Sequence, residues 1–167
     1  KAIDLDPENA EAYNSRGVVH SKRDQPDKAV ADFSKAVELD PKFVLAYDTR
    51  GRILVEQDKL DEAIADFSKV IELEPKSVNG YYNRGNAFVE QCMLDEAITD
   101  YSKVIELDPE HVKAYNNRGV AFDQQGKLAE ANADFTQAIE IDPTFALAHN
   151  NLGVVFNALN KSAEAAA

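Results

Sequence analysis

The chain has 167 residues and a formal net charge of −12, with 44% hydrophobic and 29% charged residues. That mix is globular rather than disordered, and no apolar run approaches the roughly 20 residues that span a bilayer. No stretch reads as a signal peptide, so membrane insertion is not expected and a cytoplasmic location is. One cysteine, Cys92, excludes an internal disulfide framework and a multi-cysteine zinc site. The acidity argues against nucleic acid, whose phosphates need a basic face.

Two ladders organise the chain. Proline recurs at 7, 41, 75, 109 and 143 and glycine at 17, 51, 85, 119 and 153, in both cases every 34 residues. Only Pro26, Gly80 and Gly126 fall outside them. Counting positions from Ala10 puts the glycine at position 8 and the proline at position 32. Residues 1–9, with Ile3 and Leu5, match the end of a preceding repeat. Repeats then occupy 10–43, 44–77, 78–111 and 112–145, followed by a partial copy over 146–167.

Each repeat is expected to form two helices. In 10–43 the first runs over Glu11–Arg23, and Pro26 starts the second, where its missing N–H costs little. In 44–77, Ala46, Tyr47, Ile53 and Leu54 recur at helical spacing in the first helix. The second, Asp61–Glu74, carries Ala63, Ile64, Phe67, Val70 and Ile71 as one apolar stripe. Its opening Asp61 and Glu62 suit the helix dipole. Asp-Pro or Glu-Pro closes each unit, because the residue before proline avoids the helical region. In 78–111, Cys92 falls at the turn between the helices. In 112–145, Asn132 replaces the Val30, Ile64 and Ile98 of the other copies, and nothing in the sequence explains it. In the last copy, Ala163 to Ala167 aligns with the start of a second helix but lacks the larger apolar residue of position 21.

The copies share a pattern. Position 3 is Ala or Gly, and position 4 is Tyr13, Tyr47, Tyr81 and Tyr115. Position 20 is Ala29, Ala63, Ala97 and Ala131, and position 24 is Phe33, Phe67, Tyr101 and Phe135. Small residues at 3 and 8 let two helices approach closely while the aromatics fill the space beside them. One pair cannot bury its stripe alone, so stability must come from stacking neighbours. In length and pattern the unit resembles the tetratricopeptide repeat, and the resemblance covers essentially the whole chain. It implies an all-α fold, a right-handed α-solenoid of antiparallel helix pairs, with a ligand groove on its concave side.

Position 7, usually leucine in that family, is here Arg16, Arg50, Arg84 and Arg118, then Leu152. Position 23 is Asp32, Asp66, Asp100 and Asp134. Equal numbers at a fixed spacing suggest a ladder of ion pairs between the two helices. The alternative is a basic stripe that binds acidic ligands.

The family groove uses positions 2, 5, 6, 9, 12 and 13 of the first helix. Asn83, Asn117 and Asn151 hold position 6, with Ser15 and Thr49 before them. Tyr82, Asn116 and Asn150 stand beside them at position 5, and Asn86 holds position 9. An amide both donates and accepts, so such a row can grip an extended peptide through its backbone. The row resembles the asparagine ladder of the repeats in O-linked N-acetylglucosamine transferase. The family's carboxylate clamp fits less well: Asn86 and Asn117 match, but Tyr82, Leu147 and Asn151 replace its basic residues. A terminal carboxylate would find no strong counter-ion.

The remaining signals are structural in character. Positions 29 and 31 are Asp or Glu in every copy, near the ends of the second helices. Cys92 has no identifiable base, no His, Asp and Glu cluster has metal-ligand spacing, and His149 replaces a packing aromatic. Asn160-Lys161-Ser162 fits a glycosylation sequon, a pattern common by chance. The expected function is a non-catalytic scaffold, without cofactor, that binds a protein or peptide segment. The alternatives are end-to-end self-assembly through Ile3, Leu5, Leu152 and Phe156, and a substrate-recruiting arm of a larger enzyme.

Overall fold

The structure, a computed structural model, describes residues 6–165, with side chains through Asn160. Nine helices occupy these residues: α1 (Ala10–Lys22), α2 (Pro26–Leu39), α3 (Val44–Glu56), α4 (Leu60–Leu73), α5 (Val78–Glu90), α6 (Leu94–Leu107), α7 (Val112–Gln124), α8 (Leu128–Ile141) and α9 (Ala146–Ala165). The expected helices start and stop one residue early, at Ala10 and Lys22 instead of Glu11 and Arg23, and at Leu60 and Leu73 instead of Asp61 and Glu74. Ile3 and Leu5 lie outside the described residues.

The chain forms two compact units, Lys1–Asn83 and Arg84–Ala167. In the first, α1 packs on α2, α2 on α3 and α3 on α4. In the second, α6 packs on α7, α7 on α8, and α9 on both α7 and α8. No helix among the described residues is long and apolar enough to cross a membrane.

Local chemistry sets the helix ends. The first helix of each full repeat stops at position 15, where Asp24, Asp58, Cys92 and Gly126 take φ of 56°, 60°, 60° and 73°. Left-handed backbone costs little for Gly and is tolerated by Asp, Cys92 adopts it at a steric cost, and in each case it breaks the helical run. The second helices stop at the residue before the Asp-Pro or Glu-Pro pair. There the Asp Oδ1 accepts from the backbone N–H two residues on, as at Asp6 (3.1 Å), Asp40 (2.9 Å), Asp108 (3.2 Å) and Asp142 (2.9 Å). This Asx turn reverses the chain into the next repeat. Asn9 caps α1 through the Ala12 N–H (2.9 Å), and His111 Nδ1 caps α7 through that of Ala114 (3.1 Å).

The core is a glycine–aromatic contact repeated in every complete copy. A Cβ at Gly17 would lie 2.9 Å from the Phe33 ring. At Gly51 it would lie 2.7 Å from Phe67, at Gly85 2.9 Å from Tyr101, and at Gly119 2.7 Å from Phe135. These rings are at most 1% exposed, and burying each contributes about 1.5–3 kcal/mol. Ala29, Ala63, Ala97 and Ala131 are fully buried beside them.

The last copy differs from expectation. No second helix begins at Ala163; α9 runs on without a break to Ala165. Asn160 occupies the position at which the other first helices turn left-handed. Gly153 has nothing within 4 Å of its Cβ direction.

The two glycine environments predict opposite responses to one methyl group. Gly119→Ala should lower the urea midpoint, because overpacking against Phe135 costs about 1–3 kcal/mol. Gly153→Ala should raise it slightly, since helix propensity favours Ala by about 1 kcal/mol and the space is open. Equal shifts in the two variants would contradict the close approach at Gly119.

Candidate functional site

Two sets of polar side chains stand out in the packed helices. The first is the arginine at position 7. Arg16 donates to Asp32 through Nε (2.7 Å) and Nη2 (2.6 Å). Arg50 binds Asp66 the same way (2.8 and 2.6 Å). Arg84 binds Asp100 (2.7 and 2.8 Å), and Arg118 binds Asp134 (2.8 and 2.8 Å). Such forked geometry is the strong form of the contact. The four carboxylates are 3–6% exposed.

The guanidinium also reaches the preceding repeat. Arg50 Nη1 donates to Ser34 Oγ (3.0 Å), and Arg118 Nη1 to Ser102 Oγ (2.9 Å). The position-4 tyrosine three residues earlier lies against it, with Tyr13, Tyr47 and Tyr115 ring centres 5.4, 5.6 and 5.7 Å from the Arg16, Arg50 and Arg118 Cζ atoms. A basic stripe for acidic ligands would need these N–H groups turned outward, and here they face carboxylates and hydroxyls. At Asp66, burial lifts the carboxyl pKa above its ordinary value, and the hydrogen bond and charge of Arg50 oppose the shift. The same bond raises the pKa of Arg50. The pair therefore fixes geometry more than it adds net stability.

The second set is the amides. In the first unit, Tyr82 is half-buried and Asn83 Nδ2 donates to Asp48 Oδ1 (3.1 Å). In the second unit, Asn151 Nδ2 donates to Asn116 Oδ1 (2.9 Å), and Asn116 Nδ2 to Asn117 Oδ1 (3.2 Å). Asn117 Nδ2 donates in turn to Asn86 Oδ1 (3.1 Å), which also accepts from Tyr101 Oη (2.7 Å). The amides thus brace neighbouring first helices. Asn116, only 5% exposed, is wedged into this chain and closed to a ligand, contrary to its expected place in the groove. Asn150 is exposed.

Asn86 and Asn117 also border a recess. With Val89, Glu90, Tyr101 and Val120 they line a recess of about 340 Å³ in the second unit. Val89 and Val120 form apolar walls, and Tyr101 is the floor. Both lone pairs of Asn86 Oδ1 are engaged, so what this amide offers the recess is its Nδ2 donor. That chemistry suits a carbonyl oxygen. Among the described residues no group of three His, Cys, Asp or Glu side chains could hold a metal ion. Cys92 is an exposed turn residue, and His149 Nε2 lies 3.0 Å from the Pro143 carbonyl oxygen. Tyr81 Oη makes the same contact to Pro75 (3.5 Å), so His149 substitutes for the tyrosine of its position.

Sequence reasoning missed three features: the serine at position 25 as a second acceptor for arginine, the tyrosine stacked on it, and the amide-to-amide bonding. The first two were present as fixed spacings. The third was not, because an asparagine facing solvent and one facing another asparagine read alike.

Models of the tetratricopeptide repeat match residues 10–43, 78–111 and 112–145, together more than half of the chain. Related repeat models match 51–91 and 135–167. No curated protein sequence matches. Among solved structures, one of MamA is 28% identical, with a TM-score of 0.82 over 87% of this chain and 85% of that one. A second of MamA protein, 23% identical, shares the fold with a TM-score of 0.87 over 94% of this chain and 86% of that one. The first TPR domain of Spaghetti (RPAP3), bound to the HSP90 peptide SRMEEVD, is 29% identical, with a TM-score of 0.68 over 70% of this chain and 93% of that one. These likenesses and the nine described helices give an all-α array of helix pairs, the α-solenoid class.

The ion pair makes a testable contrast. Arg84→Leu alone should cost about 3–5 kcal/mol, because it strands the buried Asp100 carboxylate, whereas Arg84→Leu with Asp100→Leu should recover most of the loss. Urea unfolding of both variants checks this; equal losses would argue against coupling.

Proposed function

Because the chain belongs to the tetratricopeptide repeat family, we propose that it is a non-catalytic scaffold whose first-helix faces bind a segment of a partner protein. The recess around Asn86 and Asn117 carries this reading. It joins apolar walls to an amide donor beside an ordered, buried floor, the combination that holds a peptide backbone while a small apolar side chain enters. Asn83, Asn151, Asn150 and Tyr82 extend the contact on their own helices, Tyr82 offering an apolar ring with a polar tip. Asn116 supports Asn117 and Asn151 from behind. The likeness of Asn83, Asn117 and Asn151 to the transferase ladder favours backbone capture with little demand on sequence.

The RPAP3 domain is similar to this chain and is bound to the HSP90 peptide SRMEEVD, which carries two glutamates and an aspartate. The basic residues of the family's carboxylate clamp are replaced here by Tyr82, Leu147 and Asn151, so the reading is of a neutral or basic segment instead. The charge of −12 favours the same sign of partner at low salt.

Peptides selected from a random display library on the wild-type protein provide the probe. Asn86→Ala combined with Asn117→Ala should weaken the selected peptides by on the order of tenfold, since each net hydrogen bond is worth about 1 kcal/mol. Circular dichroism should stay unchanged. Undiminished affinity in the double variant would reject this site. The peptide SRMEEVD should show no saturable binding in fluorescence anisotropy, and tight binding would overturn the assignment of partner charge.

A further inference from the structure

Two departures from the repeat pattern fall in the same copy. Position 24 is Phe33, Phe67 and Phe135, but Tyr101 in residues 78–111. Position 9 is Val18, Arg52 and Val120 in the copies with phenylalanine, but Asn86 in the copy with Tyr101. The two exceptions bond to each other, Tyr101 Oη donating to Asn86 Oδ1 at 2.7 Å. The core does not ask for that hydroxyl. The Tyr101 ring lies 2.9 Å from the Cβ direction of Gly85, the same contact that Phe33 makes at Gly17. It is 1% exposed, and a phenol buried this deeply costs stability unless its oxygen finds a partner. Phenylalanine fills the same slot without that cost.

The hydroxyl acts on the amide. Asn86 Oδ1 accepts from Tyr101 and also from Asn117 Nδ2 (3.1 Å). Two donors on one oxygen fix the amide plane and leave Nδ2 turned away from both. Among the described residues nothing accepts from Asn86 Nδ2. The side chain borders the recess with Val89 and Val120. An asparagine turns easily about its last torsion, and a half-turn here would show the recess an acceptor. That half-turn would set N–H against N–H at Asn117, whose own amide is held by Asn116 Nδ2 (3.2 Å).

We propose that Tyr101 is a positioning residue of the recess: its hydroxyl locks the Asn86 amide so that the site presents a donor. The site thereby selects a backbone carbonyl oxygen over an N–H at that point of the bound segment. The hydroxyl acts through Asn86 and need not touch the segment. The inference rests on the recess being a binding site, as proposed above. A pre-set amide avoids the cost of ordering that side chain when the segment arrives, so loss of the hydroxyl is felt in affinity.

The test is a double-variant cycle on the display-selected peptides, read by fluorescence anisotropy. Tyr101→Phe should leave helicity unchanged and weaken the peptides about fivefold, the worth of one hydrogen bond. In the Asn86→Ala background the same change should alter affinity by less than about twofold, because the two groups act as one. Thioamide substitution along the peptide gives a readout that packing does not move. One position should weaken binding to the wild-type protein, since sulfur is the poorer acceptor, and that penalty should vanish in Asn86→Ala and shrink in Tyr101→Phe. Undiminished affinity in Tyr101→Phe, an equal loss with and without Asn86, or a thioamide scan with no sensitive position would overturn the positioning role while leaving the recess a binding site. Undiminished affinity in Asn86→Ala would overturn the recess reading itself, and this inference with it.

Discussion

The arginine at position 7 is the joint on which each repeat turns. Its forked contact with the aspartate sixteen residues on holds the two helices of one hairpin. Its remaining N–H reaches the serine of the hairpin before, at Ser34 and Ser102. At Arg50 and Arg118 one side chain thereby ties the two helices of its repeat to the repeat before. A leucine there would pack but could not choose among nearby orientations. Directional contacts constrain such choices in a way that area burial does not.

The glycine slot works with this joint. The aspartate precedes the aromatic in sequence, so when the carboxylate meets its arginine the ring is delivered to the glycine. The two contacts require each other, and their joint repetition explains why the same residues recur in four copies.

Most of the architecture was legible in the sequence because a 34-residue period exposes each constraint several times over. The turn after α5 was legible as the place of Cys92, and the ends of the second helices from Asp-Pro or Glu-Pro. The candidate binding residues were less legible. Asn116 and Asn117 are neighbours of identical chemistry, yet one is wedged into a hydrogen-bonded chain and the other faces a recess. Neighbouring residues on a helix point about 100° apart, so the two amides lie on different faces of α7. The acidity was legible in kind but not in detail. Position 29 pairs with a lysine three residues earlier, at 2.6 Å in Lys35–Glu38, Lys69–Glu72 and Lys103–Glu106, and position 31 builds the Asx turns. Much of the negative charge is thus spent locally.

The turn joining α5 and α6 has a practical corollary. Its apex is the sole thiol of the chain, solvent-accessible and outside the packed interior. A maleimide dye or spin label would therefore attach at one defined point, between the second unit's amide-bearing helix and its partner. Spectroscopy could then follow occupancy of the protein without any engineered attachment residue.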